Sequence, residues 1–146
     1  MVWREAKEIW LHGYLLPKGC DQLFTLWQQA GQLTTELILQ RIFLAIKNNG
    51  TTLIASLVNR LPAKTQIIGQ HLATLQQDPS FVVEFARMVK PSDFNRQVIL
   101  EIFCRFVRQS VEKGKIVIPI ITQAQKMSHR QRQQLNDDIA WQYSLM

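Results

Sequence analysis

The stretch that decides the fold is PSDFNRQVILEIFCRFVRQSVEKG, residues 91–114, which carries the longest helical pattern in the chain. Its apolar residues recur at the three- and four-residue spacing that is typical of one face of an α-helix. The hydroxyl oxygen of Ser92 can cap the N-terminus of this helix, and Gly114 is a residue type that commonly ends one. We therefore predict a helix over about 93–113 that ends at Gly114.

Helical spacing continues on both sides of this stretch. Further helices are predicted over about 2–12, 22–30, 34–47, 51–61, 63–77, 80–90 and 129–145. The Thr-Thr pair at 34–35, Asp78 and Ser128 supply N-terminal caps, and Asn-Asn-Gly at 48–50 is a C-terminal signal. No internal repeat or low-complexity linker interrupts the chain. The sequence therefore predicts an all-α fold, a compact bundle of about seven helices in a single domain over 1–146.

One segment departs from this pattern. KIVIPIITQAQ, residues 115–125, contains a β-branched run that is typical of a strand. Pro119 lies in the middle of the run, however, and no second strand is evident to pair with it. We therefore predict a buried extended connector over about 115–121.

Composition places the chain among globular proteins. Hydrophobic residues make up 47% of it and charged residues 19%, a balance that supports a packed core and excludes a disordered chain. No charged-then-apolar leader opens the sequence, and its longest apolar run, IVIPII at 116–121, is too short to span a membrane. We therefore predict a cytoplasmic protein that does not contact membranes and whose two cysteines, Cys20 and Cys104, are buried free thiols.

No residue pattern that carries catalysis or binds a metal is evident. His12, His71 and His129 lie in different segments, and none has a second ligand at the spacing that metal sites require. Glycine-rich phosphate loops and the serine nucleophile motif are also absent. Asp137 and Asp138 are adjacent on a helix, so they point about 100° apart and form a poor acid–base pair. The sequence predicts no catalytic residue, metal or cofactor, and a protein that is not an enzyme.

The basic residues give the strongest functional signal, because the net charge of +6 suits an anionic partner such as nucleic acid. No acid occurs between Glu36 and Asp78 or between Glu112 and Asp137. Unpaired cations near amide side chains can follow a sugar–phosphate backbone without reading bases. The predicted nucleic-acid-binding residues are Lys126, His129, Arg130, Arg132, Lys113, Lys115, Arg41, Lys47, Arg60 and Lys64. Charges scattered over separate surfaces remain an equally open alternative.

Two arginines are set apart from this group by their neighbours. Glu101 precedes Arg105 by four residues, and Glu112 follows Arg108 by four. These are the spacings of intrahelical ion pairs. Both arginines are therefore predicted to lie on a solvent-facing stripe that neutralises itself.

KMSHRQRQQL, residues 126–135, is the best candidate for a backbone contact. Lys126, Arg130 and Gln134 recur at four-residue spacing. A helix that begins at Ser128 also presents backbone N–H groups that favour a bound anion.

The small, basic, helical chain resembles the small subunit of CRISPR effector complexes of the Cascade type. It is similar in particular to the C-terminal helical domain of a type I-D large subunit, which is also made separately from an internal start codon. The helical start at Met1 carries this resemblance, together with the segment 91–114, the connector that follows it and the terminal helix.

The resemblance implies a non-catalytic protein of antiviral defence that binds RNA and DNA. It implies contacts with the backbone of the guide RNA–target DNA duplex or of the displaced strand, with other subunits and with further copies of itself. A stand-alone helical adaptor or regulator, which docks on other proteins through apolar faces, is the main alternative. An enzyme whose site is assembled from dispersed polar residues is the third.

Overall fold

The computed structural model describes residues 34–145, whose backbone forms seven α-helices and one 3₁₀ helix, without a strand. The α-helices are α1 (Thr35–Lys47), α2 (Thr51–Arg60), α3 (Ala63–Gln77), α4 (Val82–Met88), α5 (Asp93–Gln109), α6 (Val111–Ala124) and α7 (His129–Ser144). The 3₁₀ helix, Pro79–Phe81, directly precedes α4. The predicted all-α fold is confirmed. The helices predicted over 2–12 and 22–30, with His12 and Cys20, lie outside the described residues.

The chain divides into two compact units, Met1–Gln76 and Gln77–Met146. The described part of the first unit holds α1, α2 and most of α3, and the second unit holds the remaining helices. The single domain predicted over 1–146 stays a prediction.

In the first unit, α1 and α2 pack against each other through their apolar faces. Ile42 and Ile46 of α1 and Leu57 of α2 are buried in this contact region of the core, and each buried side chain of this size contributes roughly 1.5–3 kcal/mol to folding. A Cβ on Gly69 of α3 would lie 2.6 Å from Cδ1 of Leu61. The glycine thus permits α3 to approach the end of α2 closely.

Local signals set the ends of α1 as the sequence predicts. Thr34 is its N-cap, because the Thr34 hydroxyl accepts a hydrogen bond from the N–H of Leu37 at 3.3 Å. At the other end, Asn49 has a left-handed backbone with φ of 57°. The N–H of Gly50 donates to the carbonyl of Ala45 at 2.8 Å, which completes a Schellman motif.

In the second unit, α5 is the central helix, since the 3₁₀ helix, α4, α6 and α7 all pack against it. Its predicted cap is confirmed, because the Ser92 hydroxyl accepts from the N–H of Asn95 at 3.1 Å. Its buried residues recur at helical spacing and are Val98, Ile99, Ile102, Phe103, Phe106 and Val107. The apolar face of this one helix therefore organises the core of the unit.

The prediction that this helix runs to Gly114 is wrong, because α5 ends at Gln109. Ser110 has extended backbone angles (φ −159°, ψ 107°), and its hydroxyl accepts from the N–H of Lys113 at 3.3 Å, so it caps α6. Gly114 lies inside α6, where a Cβ would be 2.9 Å from Cγ2 of Val107 on α5. The close approach of α5 and α6, and not a helix end, explains this glycine.

The extended connector predicted over 115–121 is also wrong, because these residues belong to α6. Ile118 and Ile121 are buried whereas the residues between them are exposed, which is helical spacing. Pro119 removes only the hydrogen bond to the carbonyl of Lys115, and both residues are exposed. Solvent can satisfy that carbonyl, so the helix tolerates the proline.

Gln125 joins the end of α6 to two other helices of the second unit. Its side chain is fully buried, and Nε2 donates to the carbonyls of Ala86 at 2.6 Å and Val89 at 3.1 Å. Its own carbonyl accepts from Nε of Arg96 on α5 at 2.8 Å. The two bonds donated by Nε2 satisfy carbonyls at the end of α4 that have no partner within their helix.

Candidate functional site

The turn after α6 has a left-handed residue at its centre. Lys126 has φ of 50°, and the N–H of Met127 donates to the carbonyl of Thr122 at 3.0 Å. The N–H of Lys126 lies 3.4 Å from the carbonyl of Gln123. This pair of bonds is a second Schellman motif, so Lys126 is a turn residue that ends α6.

The following residues begin α7 through a capping box, which confirms the predicted cap. The Ser128 hydroxyl accepts from the N–H of Gln131 at 3.2 Å, and the Gln131 side chain accepts from the N–H of Ser128 at 2.9 Å. Lys126 therefore precedes the helix that carries Arg130. The four-residue spacing in 126–135 does not place these two cations on one helical face.

The ten residues predicted to bind nucleic acid are divided between the two units, four in the first and six in the second. Among those in the first unit, Lys47 and Lys64 are exposed, Arg60 is partly buried, and Arg41 is buried at 4% exposure. Burial removes Arg41 from any surface that could meet a phosphate backbone.

The six in the second unit are exposed and divide into two groups. Lys113 and Lys115 lie near the start of α6, whereas the others lie beyond its end: Lys126, His129, Arg130 and Arg132.

Tyr143 organises the group near the start of α6. Nζ of Lys115 lies 5.4 Å from the centroid of the Tyr143 ring, within the range of a cation–π contact. The Tyr143 hydroxyl donates to Oε1 of Glu112 at 2.9 Å. These contacts join the end of α7 to the beginning of α6, so Lys115 contributes to the packing of the two helices.

Two open clefts lie along the C-terminal half of α6, and together we call them the twin clefts. One has a volume of about 390 Å³ and is lined by Ile118, Pro119, Thr122, Gln123 and Arg132. The other has a volume of about 370 Å³ and is lined by Arg87, Ile120, Gln123 and Ala124. Gln123 belongs to both, so the clefts adjoin each other across α6.

The sequence reveals the twin clefts only in part. Arg132 is one of the predicted binding residues, and Gln123 lies in the same acid-free window, residues 113–136. Arg87 lies outside the acid-free windows, because Glu84 precedes it by three residues. Arg87 and Gln123 come together through the packing of α4 against α6. Contacts between residues so distant in sequence leave no local pattern.

A group of charged residues between α5 and α7 is a second feature that sequence reasoning missed. The pKa of Asp138 is raised to about 6, first by burial and then by the neighbouring carboxylates of Asp137 and Glu101, against the lowering effect of Arg108. The Cys104 thiol is free but only partly buried, where the sequence predicts a buried thiol, and burial is the main cause that raises its pKa.

Arg105 and Arg108, the two arginines predicted to pair with glutamates four residues away, differ in their partners. Arg105 lies 3.7 Å from Glu101 through Nη2 and Oε1, so the predicted pairing of Arg105 is confirmed. Glu112 instead accepts the hydroxyl of Tyr143, and its predicted ion pair with Arg108 is not formed in the described part of the chain.

Over residues 34–145, no cluster of three histidine, cysteine or acidic side chains could hold a metal ion. None of the helices described there is long and apolar enough to cross a membrane. Fold and site together define an all-helical protein with open clefts that carry cations.

Comparison with known proteins gives two different descriptions. The family model described as Cucumovirus coat protein matches residues 3–97, more than half of the chain, and assigns the chain to that family. The matched range crosses the boundary between the two units and stops inside α5. It therefore corresponds to no structural unit of the chain.

Pairwise comparison instead finds relatives along almost the whole chain. The chain is 39% identical over 140 residues to the soluble lytic murein transglycosylase of Salmonella typhimurium and 37% identical to that of Escherichia coli K12. In both cases the alignment covers 96% of this chain and 22% of the relative. The chain thus spans about a fifth of the length of the curated relatives that it matches.

Solved structures agree with this second description. The 70-kDa soluble lytic transglycosylase in complex with bulgecin A matches 96% of this chain and 23% of its own, with a TM-score of 0.88 and 37% identity. An inactive mutant of the lytic transglycosylase Slt from Pseudomonas aeruginosa matches 94% of this chain and 22% of its own, with a TM-score of 0.75 and 27% identity. We give these matches greater weight than the family model, because they cover both units and reproduce the helical fold.

These comparisons correct the function predicted from sequence. The similar proteins are lytic murein transglycosylases. The prediction that the chain is the small subunit of a CRISPR effector complex is therefore wrong, and so is the predicted role in antiviral defence. The predicted partners, guide RNA, target DNA, effector subunits and further copies of the chain, are wrong for the same reason. No name among the relatives supports the stand-alone adaptor either.

The prediction that the protein is not an enzyme is contradicted as well, because the relatives are enzymes. The error has a physical cause. Small size, basic charge and helical periodicity determine a fold class, and one fold class serves many unrelated functions.

Proposed function

We propose that the chain is a helical part of a lytic murein transglycosylase and contributes to the degradation of murein. The observation that supports this is the TM-score of 0.88 at 37% identity over 96% of the chain. Because the chain spans about a fifth of such enzymes, the proposal concerns a part of the enzyme. Its helices supply a scaffold and a surface that act with the other parts of a longer polypeptide.

The proposal also changes the expected location of the protein. Murein lies outside the cytoplasmic membrane, so an enzyme that degrades it works there. This location replaces the cytoplasmic address that the sequence suggested.

A segment exchange tests the proposed function. The matching segment of the Escherichia coli soluble lytic murein transglycosylase is replaced by this chain, and the release of soluble fragments from purified murein is measured. We expect the chimera to retain most of the parent activity, because 37% identity at a common fold preserves the packing of the segment.

The same enzyme with the segment deleted serves as the control. The chimera must first show the helical content and the melting temperature of the parent enzyme. A folded chimera that releases no more murein than the deletion control would contradict the proposal.

A further inference from the structure

The twin clefts combine cations with apolar walls. Arg132 opens onto the first cleft beside Ile118 and Pro119, and Arg87 opens onto the second beside Ile120. Each cleft therefore offers one guanidinium next to aliphatic surface. Volumes of about 390 and 370 Å³ lie in the range of small-ligand sites.

Both guanidinium groups are available to a ligand. Arg87 and Arg132 are exposed, and within residues 34–145 neither forms an ion pair with an acidic side chain. The described residues that line the two clefts include no carboxylate. A guanidinium presents a rigid fork of N–H donors that matches a carboxylate, so the charge of the twin clefts is complementary to a carboxylate ligand.

Gln123 adds a group that is suited to a peptide. It is exposed and belongs to both clefts. Its side-chain amide can donate to a carbonyl and accept from an N–H, which are the two groups that a peptide backbone repeats. A ligand that lies across α6 would meet this amide between the two arginines.

Building on the proposed function, we propose that the twin clefts bind the peptide stems of murein through their carboxylates. Murein consists of sugar strands that carry short peptides, and the peptides bear the free carboxylates of the polymer. Arg87 and Arg132 would each hold one carboxylate, Gln123 would bond the peptide backbone, and the aliphatic walls would contact the methyl groups of alanine residues.

The lining of the twin clefts favours the peptides over the sugar strand. Sugar rings pack on the faces of aromatic side chains, and the residues within 34–145 that line the two clefts include no aromatic side chain. Sugar hydroxyls carry no charge that would require two arginines. The glycan strand is therefore the competing ligand that the experiment must exclude.

Isothermal titration calorimetry of the 146-residue chain tests this inference. The probes are a murein stem tetrapeptide with free carboxylates, the same peptide with its carboxylates amidated, and a peptide-free murein glycan. We expect binding of the free peptide that weakens with added salt and is lost on amidation. Arg87→Gln and Arg132→Gln should each weaken binding about two- to fivefold, as for exposed ion pairs, and the double variant more.

Arg130→Gln is the matched control, because Arg130 is exposed on α7 and lines neither cleft. It removes the same charge and should leave the affinity unchanged. The inference is overturned by an absence of peptide binding, by equal affinity for the amidated peptide, by preference for the glycan, or by equal losses in the control and cleft variants. The segment exchange decides the proposed function separately, since its readout is murein release by a complete enzyme.

Discussion

Lys126 shows how one residue can carry a functional signal and a structural role at once. By sequence it is the first cation of a basic stretch, but in the structure it has the left-handed backbone that ends α6. Left-handed angles cost most residues roughly 1 kcal/mol because Cβ crowds the following carbonyl, and glycine escapes this cost. Lys126 therefore has a structural role in ending α6 that does not depend on the charge of its side chain.

Lys126→Gly is expected to raise the free energy of unfolding by about 0.5–1 kcal/mol, since relief of the left-handed strain exceeds the extra flexibility that glycine gives the unfolded chain. Urea denaturation followed by circular dichroism measures the change. Lys126→Ala is the control, because it removes the same charge and keeps a Cβ. Equal stability of the two variants would show that the backbone geometry contributes nothing.

At the scale of elements, the sequence predicts those features that depend on neighbouring residues. The caps at Thr34, Ser92 and Ser128 each act within three residues, and all three are found. The division of one long helix into α5 and α6 is missed, because Gly114 resembles a terminator but serves a close contact with Val107. The twin clefts are missed for the same reason, since they depend on packing between separate helices.

The contact between α5 and α7 should make the stability of the second unit depend on pH. The folded state raises the pKa of Asp138 from 3.8 to about 6, so it binds the proton more tightly than the unfolded chain does. Protonated Asp138 therefore stabilises the folded state fully below about pH 4, and this contribution to the free energy of unfolding is lost as the pH rises to about 6. Ionised Asp138 then lies near Glu101 and Asp137, with Arg108 giving partial compensation.

Asp138→Asn is therefore expected to stabilise the protein at pH 7 by about 1 kcal/mol, a value reduced for solvent screening, and to have no such effect below pH 4. Urea denaturation at a series of pH values measures both. Glu84→Gln, which neutralises an exposed acid on α4, is the control. A gain at pH 7 no larger than that of the control would disprove the role assigned to Asp138.

For the whole molecule, the open question is whether the two compact units are separate folding domains. The second unit, Gln77–Met146, contains the α5 core, the bonds of Gln125 and the caps of its own helices. A fragment of this size can bury about 60% of the surface that its unfolded chain exposes. We therefore expect residues 77–146 to fold alone, with a stability of only a few kcal/mol.

The fragment 77–146 should keep its helical circular dichroism and unfold in one cooperative urea transition. Asp78→Ala within it should lower the stability by about 1 kcal/mol through loss of a cap, because the Asp78 carboxylate accepts from the N–H of Ser80 at 3.2 Å. That loss of stability would show that the Asp78 cap at the start of the 3₁₀ helix also forms in the fragment. Helical signal without a cooperative transition would mean instead that the unit needs the first 76 residues, as the prediction of a single domain requires.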